Sequence, residues 1–267
     1  MKKTKYLAIF ALFLVLDAAM FAEDAASIVG RSTTMPRPDF SRTQITVRLT
    51  DKAGNDVETR QVTQFGNNKQ NITQTTFDFR SPASYKNTRL LQQEKSNGQD
   101  QKWIYLPSLR TVRQIATADR KKDFVGTDFT YNDMTLRKAE NDAHEFLDEN
   151  AAISVAGKTY KVWKIKSVPV ANKNVEYAYR VQFIDKESNL PVLTEFYDKT
   201  DKLLKTITTD ELVQVSGAIG KSYWFRKTQT AENKLTNHKT TIIVDKFEFD
   251  KPVSDNYFTQ NWLNTGK

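Results

Sequence analysis

Residues 103–131 read WIYLPSLRTVRQIATADRKKDFVGTDFTY, and the succession of patterns in this run decides how the rest of the chain is read. It opens with period-two alternation: Trp103 and Tyr105 fall on one face of an extended segment, Ile104 and Leu106 on the other. Pro107 and Ser108 turn the chain. Leu109 to Ala116 then reads as a second strand carrying Arg110 and Arg113, and the apolar pattern stops at the charged loop Asp119 to Asp123. Beyond it, Phe124, Phe129 and Tyr131 surround Gly126, a residue able to take the positive φ that others avoid. A hairpin that leads into an aromatic, glycine-pinned loop suits a segment that holds a rim or a mouth in place.

Working outward, the same two-residue period governs most of the chain. Asp24 to Thr34 reads as a short amphipathic helix carrying Ala25, Ile28 and Val29 and ended by Pro36 and Pro38. Strands follow from Arg42, from Val57 to Phe65, around Phe77 and Phe79, and from Thr88 to Glu94, the last turning through Asn97 and Gly98. After the central run, Leu136, Ala139, Ala143, Phe146 and Leu147 recur at helical spacing. Asp133 is placed as their N-cap, so a helix is expected over 133–147. Alternation resumes at Ile153; Val175 to Phe183 puts Tyr177, Tyr179 and Phe183 on one face, and further strands run to Phe249. Ser254 is placed to cap a last helix with Tyr257, Phe258, Trp262 and Leu263. The expected class is mainly β with a few helices, a single antiparallel sheet of about eleven strands. Curling into a closed or half-closed barrel hides its edges.

Composition narrows the chemistry. The chain has no cysteine and two histidines, which excludes a thiolate metal site, a disulfide framework, a cysteine nucleophile and anchoring through an acylated cysteine. Lys2, Lys3 and Lys5 precede an apolar run from Tyr6 to Leu16, with small residues through Ala22 and then Glu23 and Asp24, the layout of a signal peptide. Cleavage after Ala22 is expected, leaving one exported domain over 23–267. Eleven apolar residues are too few to span ~30 Å of hydrocarbon, and no later segment is apolar enough. The leader carries three lysines and Asp17, a net +2, so the +8 of the full chain becomes +6. The lysines are scattered, which reads as solubility with a mild preference for acidic membrane surfaces; export removes nucleic acid from the expected partners.

No constellation for catalysis is found, and none for a cofactor. Gly217, Gly220, Lys221 and Ser222 spell G-x-x-G-K-S, yet Val215 stands where a phosphate loop needs its first glycine, and the next residues alternate like a strand. His144 and His238 have no partner at ligand spacing and read as solvent-facing. Asp119, Asp123 and Asp128 with Lys121 and Lys122 read as loop charge pairing. The chain is therefore expected not to be an enzyme. An excess of large apolar side chains on strand faces remains. By residues alone they either fill a solid core, as in a non-enzymatic surface or interaction protein whose basic face docks a partner, or line a hollow under the helices.

The order W-x-Y-L-P, then R-x-I, then F-x-G-T-D-F-x-Y resembles the outer-membrane lipoprotein-sorting proteins, relatives of the periplasmic carriers of the Lol system. The matching residues are Trp103, Tyr105, Leu106, Pro107, Arg113, Ile115, Phe124, Gly126, Thr127, Asp128, Phe129 and Tyr131. The order of elements resembles that family from about Ser27 to Leu263; Gln114 departs from it, standing where a second basic residue is expected. The resemblance implies an unclosed barrel with helices as a lid over an apolar cavity, and a periplasmic carrier of acyl chains. That carrier would work between an inner-membrane donor complex and an outer-membrane acceptor, with lipoprotein or phospholipid chains as cargo. It also implies that Phe77, Phe79, Leu91, Trp103, Tyr105, Tyr177, Tyr179, Phe183, Phe196 and Phe225 face the cavity. Phe124, Gly126, Phe129, Tyr131, Leu136, Phe146 and Leu147 would form the lid or rim. The cavity assignments follow strand alternation, so a one-residue slip flips a whole strand.

Overall fold

The structure, a computed structural model, describes residues 23–69, 72–95, 100–170 and 174–267. The expected leader and its cleavage site, and the turn at Asn97 and Gly98, lie outside these residues. Helix α1 (Ala25–Thr34) begins as its sequence dictates, with Asp24 Oδ1 accepting from Ser27 N at 2.7 Å. Six strands follow: β1 (Phe40–Thr50), β2 (Asp56–Asn67), β3 (Ile72–Ser81), β4 (Arg89–Lys95), β5 (Gln101–Leu106) and β6 (Thr111–Gln114). A long connection of turns and single 3-10 turns leads to β7 (Asp142–Val155), then β8 (Lys158–Pro169), β9 (Tyr179–Asp185), β10 (Pro191–Tyr197), β11 (Leu203–Ser216), β12 (Ser222–Asn233) and β13 (Lys239–Phe249). A 3-10 turn over Asp255–Phe258 and the short α2 (Gln260–Thr265) close the chain; Ser254 caps the 3-10 turn and Thr259 caps α2.

All thirteen strands form one antiparallel sheet in the order β6-β5-β4-β3-β2-β1-β13-β12-β11-β10-β9-β8-β7. This is a cyclic meander with one break. Each strand pairs with its neighbour in sequence, and β1 pairs with β13 along its full length to join the two halves. The break lies between β6 and β7, which are consecutive in the chain yet occupy opposite edges of the sheet. A tight turn would have paired them. The connection from 115 to 141 instead folds across the hollow that the curled sheet leaves.

The sheet has thirteen strands rather than about eleven, and the helix expected over 133–147 is absent. Residues 139–141 make one 3-10 turn, and Asp142–Val155 is the edge strand β7, paired with β8 from Asp142–Pro169 to Val155–Lys158. The helical spacing of the apolar residues is genuine, but the unpaired edge of β8 offers a full ladder of backbone hydrogen bonds, and tertiary pairing overrides a weak local preference. The charged residues Glu145, Asp148 and Glu149 then serve as guards of an exposed edge. Leu147, expected in the lid, is 48 % exposed on that edge. Asp133 caps no helix; its role is described below. Leu203–Ser216 is a single long strand bent by register shifts at Thr209, Glu211 and Leu212.

The core is divided between the two faces of the sheet. Ile45, Val47, Val62, Phe77, Phe79, Leu90 and Val244 pack on the concave face with Phe124 and Phe129 of the 115–141 connection. Helix α1 lays Ala25, Ile28 and Val29 against Ile165 and Ile184, with Phe146 and Trp163 flanking them. On the convex face Phe65, Leu91 and Trp103 are covered by Phe258, Trp262 and Leu263 of the C-terminal segment.

Candidate functional site

Beneath the 115–141 lid and α1 lies a cavity of about 650 Å³, within the range of small-molecule sites. The interior is therefore not filled solid. Strand alternation builds its apolar wall: Ile45 and Val47 of β1, Val62 of β2, Phe77 and Phe79 of β3, and Ile242 and Val244 of β13 all face inward, roofed by Phe124 and Phe129. The opposite side is more polar, with Arg180 and Gln182 of β9, Thr194 of β10, Arg226 and Gln229 of β12, and Arg37 from the link between α1 and β1.

Of the residues expected at the cavity face, Phe77, Phe79, Tyr177, Phe196 and Phe225 line it. Leu91, Trp103, Tyr105, Tyr179 and Phe183 do not. On β4 and β5 the inward positions belong to Leu90, Gln92, Glu94, Lys102 and Ile104, while Leu91 and Trp103 pair across the strands and turn outward under α2, with Tyr105 beside them. Both faces of this hairpin are buried, so apolar character could not tell them apart. On β9 the strand begins only at Tyr179. Arg180 and Gln182 point inward, leaving Tyr179 stacked on Tyr197 at 4.9 Å and Phe183 under Lys164. Phe225 sits where the β12–β13 ladder stops at Thr228 and Ile243; it packs edge-on against Phe247 and Phe249 at 5.0 and 5.4 Å.

Among the lid residues, Phe124, Phe129 and Leu136 line the cavity. Tyr131 packs edge-on against Phe124 at 5.5 Å instead, and Phe146 stands on β7 beside α1. Gly126 has φ 71°, the left-handed conformation expected of it, and Val125 before it has φ 52°.

What holds the lid is not visible in the sequence: a set of buried charges reaching it from the sheet. Lys205 of β11 donates to Asp133 Oδ2 at 2.5 Å and to Glu176 at 3.3 Å; Asp133 also accepts from Thr130 N and Oγ1 at 2.7 and 2.9 Å. Burial works to lower the Lys205 pKa, yet the two carboxylates carry it above the ordinary lysine value. At the far end of the lid Arg137 grips Asp142 through Nε and Nη2, and Arg180 of β9 donates to the same carboxylate at 3.1 Å. Lys102, 1 % exposed, donates to Gln92 and to Thr135, while Gln92 Nε2 donates to Met134 O at 3.1 Å. Burial pushes the Lys102 pKa down to about 8, opposed by nearby Glu94, whose own pKa burial raises. Arg60, also 1 % exposed, donates to Val125 O at 2.6 Å and stacks on Tyr85 at 3.8 Å. One signal for Lys102 existed: a lysine sharing a face with Ile104 in an alternating strand.

Residues 217–222 form the turn between β11 and β12, with Gly217 N donating to Lys221 O, and Ser222 opens a strand rather than a helix. The histidines are half-buried and hydrogen-bonded, not free in solvent: His144 lies 2.8 Å from Ser167 Oγ and 2.9 Å from Ala139 O, and His238 lies 2.8 Å from Asp128 Oδ2. Asp119 pairs with Lys122 at 2.7 Å as expected, but Asp128 is drawn away to His238 and Thr240. Among the described residues no group of acidic or histidine side chains is arranged to hold a metal, and no helix is long and apolar enough to cross a membrane.

A family model described as "Uncharacterized protein"-like matches residues 71–265. No curated protein matches the chain. Among solved structures, the chain is similar to an outer membrane lipoprotein-sorting protein domain from Vibrio parahaemolyticus, with 23% identity and a TM-score of 0.77 over 90% of this chain and 98% of that one. A DUF1329 family protein from Desulfovibrio piger gives 20% identity and the same TM-score of 0.77 over 90% and 97%. A LolA superfamily protein from Nitrosomonas europaea gives 16% identity and a TM-score of 0.61 over 90% and 100%. With residues 71–265 inside the matching model, the chain belongs to that family, and its fold is shared with the lipoprotein-sorting domain, the DUF1329 protein and the LolA superfamily protein.

Proposed function

We propose that this chain is a periplasmic, non-enzymatic carrier that shields the acyl chains of lipoproteins from water on their way toward the outer membrane. The observation that carries the reading is the cavity of about 650 Å³ between an inward-facing wall of aliphatic and aromatic side chains and a lid pinned by charges. Similarity of fold to a lipoprotein-sorting domain and to a LolA superfamily protein supports the reading. Each methylene moved from water into such a wall contributes roughly 0.8 kcal/mol, so a dozen are worth on the order of 10 kcal/mol before the losses of association. Holding the guest therefore needs little specificity, and letting it go needs a conformational change. Ion pairs suit that task. They have two discrete states, made and broken, and a donor or acceptor complex at either membrane biases the choice between them.

The test is direct. Lipid extracted from the purified protein is identified by mass spectrometry, and displacement of a fluorescent acyl probe is titrated on the delipidated protein. The expected result is retained acyl-bearing species and saturable displacement. Absence of both removes the carrier reading, and recovery of free phospholipid alone changes the cargo from lipoprotein to lipid.

A further inference from the structure

The cations that line the cavity are not equivalent. Arg180 shares Asp142 with Arg137, and Arg120 donates to Asp100 O. Arg226 differs: among the described residues it has no hydrogen bond and no ion pair, although it lines the cavity. The cation nearest in effect is Arg37, which lines the same cavity and whose one hydrogen bond is a long one, 3.4 Å, to Thr33 O. Burial, and after it the charge of Arg37, lowers the Arg226 pKa. Arg37 and Arg226 thus line one cavity, and among the described residues neither has an ion pair. Two of the acids that line the same cavity are committed elsewhere: Asp133 accepts from Lys205 at 2.5 Å, and Glu94, which attracts Arg37, faces Lys102 as its stronger partner.

A half-buried guanidinium on a cavity wall with no protein partner is placed to meet a charged group on a guest. The neighbours of Arg226 indicate what that ligand is. Leu212 is its cross-strand partner, and Leu212 packs with Leu190, Val192, Trp224 and Met35 in an apolar patch. We infer that Arg226, on the cavity that Arg37 also lines, receives the anionic group of an amphiphile, a carboxylate or phosphate carried on an acyl chain that lies along the apolar wall. Arginine's planar fork fits either oxyanion through two parallel N–H donors. The inference rests on the reading that the cavity holds acyl chains and moves the cargo from lipoprotein, whose acylated end carries no anion, toward a free anionic amphiphile: the guest enters with its charge toward β12, and a neutral lipid binds less well.

The experiment compares three probes of equal chain length, palmitate, hexadecyl phosphate and hexadecanol, for binding to the delipidated wild type and to Arg226→Met, Arg226→Lys and Arg37→Gln. The wild type is expected to bind one or both anionic probes roughly ten- to a hundredfold more tightly than the alcohol, the range of a charge-assisted hydrogen bond. Which of the two is preferred distinguishes a carboxylate from a phosphate guest. Arg226→Met is expected to abolish the preference for the anionic probes over the alcohol. Arg226→Lys, a point charge without the fork, is expected to keep part of it. Because the arginine is unpaired, Arg226→Met is also expected to raise the melting temperature, whereas a structural arginine would lower it. Should that variant fail to fold, Arg37→Gln must weaken anion binding in its place. Equal affinity for charged and neutral probes in the wild type, or a preference surviving in the variants, overturns the assignment while the carrier reading stands. No binding of any probe overturns both.

Discussion

Lys102→Met isolates one buried charge and gives a stability difference that depends on pH in a calculable way. Lys102 is 1 % exposed and its pKa falls from the ordinary 10.5 to about 8, chiefly through burial, with Glu94 opposing. At pH 7 both folded and unfolded chains carry the proton, and the native state bears the full penalty of keeping it. Between about 8 and 10.5 the folded protein has lost a proton that the unfolded chain still holds, so wild-type stability rises with pH through that window. The interval corresponds to about 3 kcal/mol at ~1.4 kcal/mol per pH unit. The measurement is a difference between wild type and Lys102→Met, each unfolded in urea at a series of pH values across that window. The buried tyrosines, among them Tyr131 and Tyr177, whose pKa values burial raises, titrate in both proteins and cancel. Wild type is expected to gain on the variant by about 3 kcal/mol over the window. A pH-independent difference would refute the claim that the Lys102 ammonium is sealed under the lid.

Four further outcomes are expected. Asp142→Asn strands Arg137 and Arg180 together and should cost about 3–5 kcal/mol in urea unfolding, the range for breaking a buried ion pair; a loss below about 1 kcal/mol, the worth of an exposed pair, would mean that the site is already wet. Trp103→Ala, on the convex face, should lower stability by about 3–5 kcal/mol yet leave acyl-probe affinity of the folded variant unchanged. Phe77→Ala, on the concave face, should alter both stability and affinity, and the same response from the two variants would contradict the assigned strand parity. Gly126→Val places a β-branched residue at φ 71°, where an added Cβ meets nothing nearer than Arg60 Nη2 at 4.0 Å, so the penalty is one of backbone strain, on the order of 1–2 kcal/mol, read as a fall in melting temperature.

Much of the architecture was legible from periodicity. Phe77 and Phe79 alternate with polar neighbours because one face of β3 meets the hollow, and the positive φ of Gly126 is expected where the aromatic loop turns. The segment 133–147 misleads because a helix and an edge strand compete for the same residues, and the winner depends on whether a partner strand has an unpaired edge. The hairpin of β4 and β5 misleads for a different reason: with Trp103 and Tyr105 on one face and Ile104 on the other, alternation cannot say which face is concave.

The chain's own order of residues determined that this is an antiparallel, β-rich protein with an aromatic, glycine-pinned connection in its middle and a capped helix at Asp24, since those properties follow from local backbone preference and period. Tertiary structure alone decided that the connection spans the gap between two opposite sheet edges, that Lys205, Asp142, Lys102 and Arg60 hold it there, and that Arg226 is left without a partner among the described residues. The physical reason is range. Period and propensity act over a few residues, whereas a buried charge finds its partner across the folded chain, as Lys205 finds Asp133 72 positions away.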